Sequence, residues 1–257
     1  MPTPVSIAFN EEGSRAALRF SHPKGNILTR EIFAGLRAAC EDLSRAPKLK
    51  LITLAPGGPD FSFGASVPEH APGEIEHALP EMHELVRDIL ALPAPTAAVV
   101  RGRCLGGGFE LALACDFIMA SSDATLGLPE ITLGALPPVA SVLLPIKAGY
   151  ARAARAALTG AAQPVDEWVH AGVVTLTAPA DLLDTAVDDW FARHLAPHSA
   201  VALRHAATAL RLDVHDAVER LVPRIETLYL SDVMSTEDAA EGVRAFMEKR
   251  PPKWKDR

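Results

Sequence analysis

Two short apolar runs constrain this chain most: Leu49 to Leu54 and Thr96 to Val100. Both are continuous rather than alternating, and each predicts a strand buried on both faces. A helical pattern around Glu81 to Leu90 separates them. Another precedes the first, with Ile32, Phe33, Leu36, Cys40 and Leu43 recurring on one side and Thr29 placed as its N-cap. Doubly buried strands joined through helices pair in parallel by crossover connections, so the expected class is α/β. The chain opens differently. Val5 to Phe9 and Arg15 to Phe20 alternate and are joined by Asn10-Glu11-Glu12-Gly13, which predicts a β-hairpin. Further strands are expected at Phe117 to Ala120 and Val173 to Thr177. From about residue 139 helices dominate, and 199–250 reads as wholly helical, with Ser235 and Asp238 forming a capping box for the last helix. The expected organisation is an α/β core over 1–198 and a helical extension over 199–257.

Composition narrows the function. The chain has 257 residues, 49% hydrophobic and 22% charged, which suits a soluble globular core and argues against disorder. A net charge of −7 opposes general nucleic-acid binding, although the ending Met247-Glu-Lys-Arg-Pro-Pro-Lys-Trp-Lys-Asp-Arg257 is locally basic. Cys40, Cys104 and Cys115 are widely spaced and form no metal pattern. With no leader-like N-terminus, reduced thiols and a cytoplasmic location are expected. No apolar run approaches the ~20 residues of a membrane span, so no membrane association is expected.

The chemistry concentrates in two glycine-containing loops and two glutamates. Asp60-Phe-Ser-Phe-Gly-Ala-Ser66 follows the first buried strand. Arg101-Gly-Arg-Cys-Leu-Gly-Gly-Gly-Phe-Glu110 joins the second to an apolar helix. Consecutive glycines at a helix start leave N–H groups unobstructed for a developing negative charge, and they equally suit a tight, closely packed turn. Neither GxGxxG nor GxxxxGK[ST] is present, so there is no nucleotide fingerprint. Glu110 and Glu130 are lone carboxylates in apolar surroundings. Each alone reads as structural or exposed. Buried, such a group rises in pKa toward neutrality, and a pair suits addition of water to a double bond, one handling the water and the other a carbon-bound proton. His70, His77 and His83 have no metal spacing and are expected as solvated residues near the substrate entrance.

In this order the motifs resemble the crotonase (enoyl-CoA hydratase) superfamily. The carrying segments are His22-Pro-Lys-Gly-Asn26, Phe61 to Ser66, Gly102 to Glu110 with Cys115-Asp116, Gly127 to Gly134, and Glu241 to Arg250. Together they span nearly the whole chain. The resemblance implies a spiral of ββα units and a helical C-terminal region that drives trimerisation, often to a dimer of trimers. It implies an acyl-CoA substrate whose thioester carbonyl is polarised by the N–H groups of Ala65 and Gly107, with Glu110 and Glu130 flanking the α and β carbons. It places coenzyme A contacts at Lys24, at the backbone near Phe63, and at Phe246 with Lys249. No metal or redox cofactor is implied, since coenzyme A arrives with the substrate.

The departures from the family pattern bear on the substrate. Ser66 stands where these hydratases tend to have Asp, and Pro137-Pro138-Val139-Ala140-Ser141 replaces a glycine-rich Pro-Gly-x-Gly-Gly. Losing glycines stiffens the backbone and adds apolar bulk, expected beside the second glutamate. Ser66, Val139, Ala140 and Ser141 are thus expected to reshape the pocket for a non-linear acyl group. With Glu69-His70 and Glu226-Thr-Leu-Tyr-Leu230, the pattern is similar to hydratases of aromatic-acid degradation by the benzoyl-CoA route. These convert cyclohexa-1,5-diene-1-carbonyl-CoA to 6-hydroxycyclohex-1-ene-1-carbonyl-CoA. A general enoyl-CoA hydratase is the alternative. A non-catalytic binding protein on the same fold predicts loss of a glutamate or of the glycine loop, and neither is lost.

Overall fold

The computed structural model describes residues 4–23, 25–71 and 73–257. The hairpin forms as expected, β1 (Val5–Phe9) antiparallel to β2 (Arg15–Phe20). Thr29 caps α1 (Arg30–Ser44), its side chain accepting from the Ile32 N–H, and α1 buries the five apolar residues its periodicity marked. Then come β3 (Leu51–Pro56), α2 (Ile75–Ala91) and β4 (Thr96–Val100). The expected helix began after Pro80, but α2 runs through it from Ile75. Pro80 removes one backbone donor, and burial of Ile75, Ala78 and Leu79 on the N-terminal side outweighs that loss.

Two strand layers follow from the next stretch. β5 (Arg103–Leu105), α3 (Gly107–Ala114), β6 (Phe117–Ser121) and β7 (Thr125–Gly127) alternate between a large and a small sheet. Helices α4 (Ala140–Ala148) and α5 (Tyr150–Thr159) precede β8 (Gln163–Pro164) and α6 (Val165–His170). Next are β9 (Leu176–Ala178), α7 (Leu183–His194), α8 (Ala200–Thr227) and α9 (Glu237–Met247). The large sheet runs β1-β2-β3-β4-β6-β9 and is parallel from β2 onward. The small sheet, β5-β7-β8, is extended by single bridges Ser62–Cys104 and Leu28–Ala65. Each successive turn thus adds a strand to both layers, the α/β spiral that the motifs implied. β9 starts later than expected because the Val173 and Val174 N–H groups close the end of α6 on the Trp168 carbonyl.

The last helical stretch is not continuous. A π-helical turn, Leu228–Val233, breaks it, and α9 is capped by Thr236 rather than Ser235. The Ser235 hydroxyl instead donates back to the Ser231 carbonyl. Helix α9 then lies on the short 3-10 helix Pro129–Leu133, and Gly242 permits it: a Cβ there would lie 2.1 Å from the Leu133 carbonyl oxygen.

α8 is joined to the core by Arg211, only 6% exposed. Its guanidinium donates to Asp116 Oδ1 at 2.8 Å, to the Leu90 and Ala94 carbonyls at 3.2 and 3.0 Å, and to the Leu92 carbonyl. Arg211→Met leaves Asp116 and three buried carbonyls without this donor. It is expected to lower unfolding free energy by about 3–5 kcal/mol. Urea denaturation measures this, and a loss under about 1 kcal/mol would show the cluster to be incidental. The three cysteines are free and buried, and burial pushes the Cys40 and Cys115 thiols up to about 12, so they act as small core residues.

Candidate active site

The small sheet brings the two glycine loops together. Leu28 takes both partners of its bridge from the residues flanking Ala65: its N–H donates to the Gly64 carbonyl at 2.9 Å and its carbonyl accepts from Ser66 at 3.0 Å. Strand geometry then turns the Ala65 N–H away from Leu28, toward the second loop. There the Gly106 N–H is engaged by the Gly127 carbonyl at 2.9 Å, and Gly107 opens α3 with its N–H at the helix start. A Cβ on Gly107 would lie 3.5 Å from the Ala65 nitrogen, so the two residues face one small space. Gly64 and Gly106 both have positive φ, and a Cβ on Gly106 would meet Glu130 Oε1 at 2.9 Å. Glycine is required there for the loops to approach.

That space opens into a cavity of about 460 Å³, within the range of small-molecule sites. Its walls are largely apolar, with Ala78, Leu79 and Met82 from α2 on one side and Leu136 and Pro138 on the other. Glu110 and Glu130 both reach it. Glu110 sits in the first turn of α3, a helix buried on every face and set by the edge contact of Phe109 with Trp168 at 4.9 Å between centroids. Glu130 projects from the Pro129–Leu133 turn, closed by Gly134 in the left-handed region. Part of Glu130's surface is accessible, yet its Oε2 is buried and has no hydrogen-bond partner.

Burial dominates the electrostatics. The Glu110 carboxyl is pushed up to about 7 by burial, and the Ala140 and Val139 N–H groups only partly oppose it. Burial, and then the negative charge of Glu110, hold Glu130 well above the ordinary carboxylate range. Near neutral pH the pair therefore retains a proton, held on Glu130, while Glu110 is the readier base. The folded value of Glu110 lies above its ordinary 4.5, so the stability it contributes at low pH is lost as pH rises through that window to about 7. Glu110→Gln keeps an oxygen for the Ala140 N–H but has no charge to bury. It is expected to exceed the parent in stability by about 3 kcal/mol near pH 8 and to match it near pH 4. Urea unfolding at both pH values is the check; a pH-independent difference would contradict it.

The structure places the remaining predicted residues unequally. Ser66 lines the cavity, 8% exposed. Val139 and Ala140 are buried and act through their backbone: the Ala140 N–H donates to Glu110 Oε1 at 2.8 Å. The start of α4 therefore faces the first glutamate, not the second as expected, because its free N–H groups point at the nearest carboxylate. Ser141 is no pocket residue. It is exposed, its hydroxyl donating to the Pro137 carbonyl at 2.7 Å, and the bulk near the cavity comes from Leu136 and Pro138. Phe63 lines the cavity with the Arg103 guanidinium 3.9 Å above its ring, but its N–H is engaged by the Gly25 carbonyl. Phe246, on α9, lines the cavity while half exposed. Lys249 is exposed beyond the end of α9 and does not line it. Lys24 lies outside the described residues.

Histidine 83 also departs from expectation. His83 is buried rather than solvated, with Nδ1 2.6 Å from Glu226 Oε2. His70 lines the cavity, its Nδ1 held by the Ser66 carbonyl, and His77 is exposed. Sequence reasoning missed Tyr229 and the α2 wall. Tyr229 had a signal, because it lies in the Glu226 to Leu230 segment used only to judge the substrate. Among the described residues no cluster could hold a metal ion, and no helix is long and apolar enough to cross a membrane.

Comparison with known proteins shows the family of the chain. Residues 10–257 fit the enoyl-CoA hydratase/isomerase family. The chain belongs to that family. It is 38% identical to a cyclohexa-1,5-dienecarbonyl-CoA hydratase of Thauera aromatica, over 99% of this chain and 98% of the relative. It is 32% identical to the 2,3-dehydroadipyl-CoA hydratase of Escherichia coli K12, covering 98% and 94%. Among solved structures, an enoyl-CoA hydratase from Mycobacterium avium subsp. paratuberculosis superposes with a TM-score of 0.87 at 30% identity, covering 98% and 99%. This member of the enoyl-CoA hydratase/isomerase family is an enzyme of the hydro-lyase type, acting on an acyl-CoA.

Proposed function

We propose that this enzyme adds water to a cyclic dienoyl-CoA, cyclohexa-1,5-diene-1-carbonyl-CoA, giving 6-hydroxycyclohex-1-ene-1-carbonyl-CoA. The observation that carries the reading is the pair of buried carboxylates at one end of an apolar cavity, beside two N–H groups that face one space. The name of the Thauera relative supports the ring, as do Leu136, Pro138 and Tyr229 in the cavity wall.

The chemistry follows from the pKa order. Glu110 takes a proton from water as its oxygen bonds to ring carbon 2. The electrons move through carbon 1 onto the thioester oxygen, where the Ala65 and Gly107 N–H groups receive the charge. Glu130 then gives its proton to carbon 5, the double bond settles between carbons 1 and 6, and the product takes its usual numbering from there. Exchange of the Glu110 proton to Glu130 resets the site. Phe63 and Phe246 at the cavity, with Lys24, are proposed to contact coenzyme A. No metal or redox group enters any step. Assembly as a homotrimer or dimer of trimers is proposed as well, supported by Tyr150 and Leu158, which α5 exposes; light scattering tests it.

Side-by-side hydration of the cyclic dienoyl-CoA and crotonyl-CoA tests the substrate. The expected result is a kcat/KM at least about tenfold higher for the ring, a difference of roughly 1.4 kcal/mol in transition-state binding. Preference for crotonyl-CoA would keep the two-carboxylate chemistry and return the enzyme to linear substrates, a reading favoured by the name of the Escherichia relative.

A further inference from the structure

A buried carboxylic acid that gives up its proton becomes a buried anion, and such an anion needs a donor. Glu110 has one in the Ala140 N–H. Glu130 Oε2 has none. The cavity wall holds a buried phenol in the field of both carboxylates, that of Tyr229, which is 2% exposed. Burial raises its pKa first, then the charges of Glu130 and of Glu110, so the phenol stays protonated and able to donate.

The backbone at Tyr229 is built unusually. It belongs to the π-helical turn Leu228–Val233 that interrupts the run from α8 toward α9. Such turns are rare and are frequent at functional sites. This one is anchored one turn earlier, where Glu226 meets the buried His83 of α2. The ring of Tyr229 packs with Ile75 and Leu79 of α2 and with Ala135, all part of one buried cluster. Three elements thus fix a polar side chain on the wall that Glu130 shares.

We propose that Tyr229 is a positioning residue for the proton transfer: its hydroxyl donates to Glu130 as that carboxyl loses its proton to the substrate. The hydrogen bond belongs to the charged state of Glu130, in which a donor matters most. The inference rests on Glu130 acting as the acid but not on the identity of the acyl group, so either thioester that the enzyme turns over serves for the test.

The experiment is a double-mutant cycle of Tyr229→Phe and Glu130→Gln, read as kcat and KM, with melting temperatures recorded for each protein. Tyr229→Phe is expected to lower kcat about 10- to 100-fold, the range of a hydrogen bond to a charged group, and to change KM less than about twofold. In the Glu130→Gln background the same change is expected to have less than about a twofold further effect, because the charge it serves is gone. Equal losses in both backgrounds, or a KM effect alone, would assign Tyr229 to packing and overturn the proposal. A full kcat for Tyr229→Phe would do the same. Loss of preference for the cyclic thioester in the parent enzyme would bear only on the substrate reading.

Discussion

Glu130→Gln is expected to lower the kcat of hydration by about 10²- to 10⁴-fold, with KM nearly unchanged. Glutamine fills the same volume and keeps an oxygen near Gly106, so the loop geometry survives. What disappears is the proton. In the parent, burial and the neighbouring charge of Glu110 keep that proton on Glu130 at neutral pH, where it is available to the substrate carbon. A transition-state interaction removed in this way appears in kcat rather than KM. Steady-state kinetics, with the melting temperature as a fold control, make the measurement. Near-full activity would eliminate the paired-carboxylate mechanism and leave Glu110 as the sole proton-transfer group.

Gly107→Pro carries the second large effect. Proline is well tolerated at the first position of a helix, where its missing N–H has no intrahelical acceptor, so α3 is expected to persist. A Cβ there would meet the terminal methyl of Met82, the end of a flexible side chain, at 3.1 Å. The N–H facing the thioester oxygen is removed, and the ring Cδ takes the hydrogen's place on that nitrogen. Loss of one such donor lowers kcat by about 10²- to 10³-fold. A Gly107→Pro protein that melts like the parent and retains its turnover would show that the charge is received elsewhere.

Much of the fold was legible because its signals are local. Continuous apolar runs marked β3 and β4, alternation marked the hairpin, and Thr29 stood one residue before α1. The small sheet was not legible. β5, β7 and β8 are too short to show a period, and each is defined by partners from distant turns of the spiral. The π turn at Leu228 and the one-residue shift of the α9 cap escaped for a related reason. The local pattern there reads as unbroken helix, whereas the contacts around the break, Glu226 with His83 and Gly242 against Leu133, join segments far apart in the chain.

The candidate site divides the same way. Glu110, Glu130, Ala65 and Gly107 were identifiable from the order of motifs, and the structure brings them to one cavity. Ser141 and Lys249 were expected from their motifs, but Ser141 lies on the exposed side of α4 and Lys249 past the end of α9, and both end outside the cavity. His83 was read as solvated since nothing nearby in the chain reveals its partner, Glu226, which lies 143 residues away.

The sequence by itself determined the α/β class and, through the order of its motifs, the family resemblance that pointed to the two carboxylates and the N–H groups of Ala65 and Gly107, because these depend on residue type and local order. Tertiary structure alone decided that α4 points its N–H groups at Glu110, that Glu130 Oε2 is buried without a partner, and that Tyr229 lines the cavity both carboxylates reach. Those are matters of burial and distance between segments far apart in the chain. In a low-dielectric cavity they set each charge, and no local pattern encodes them.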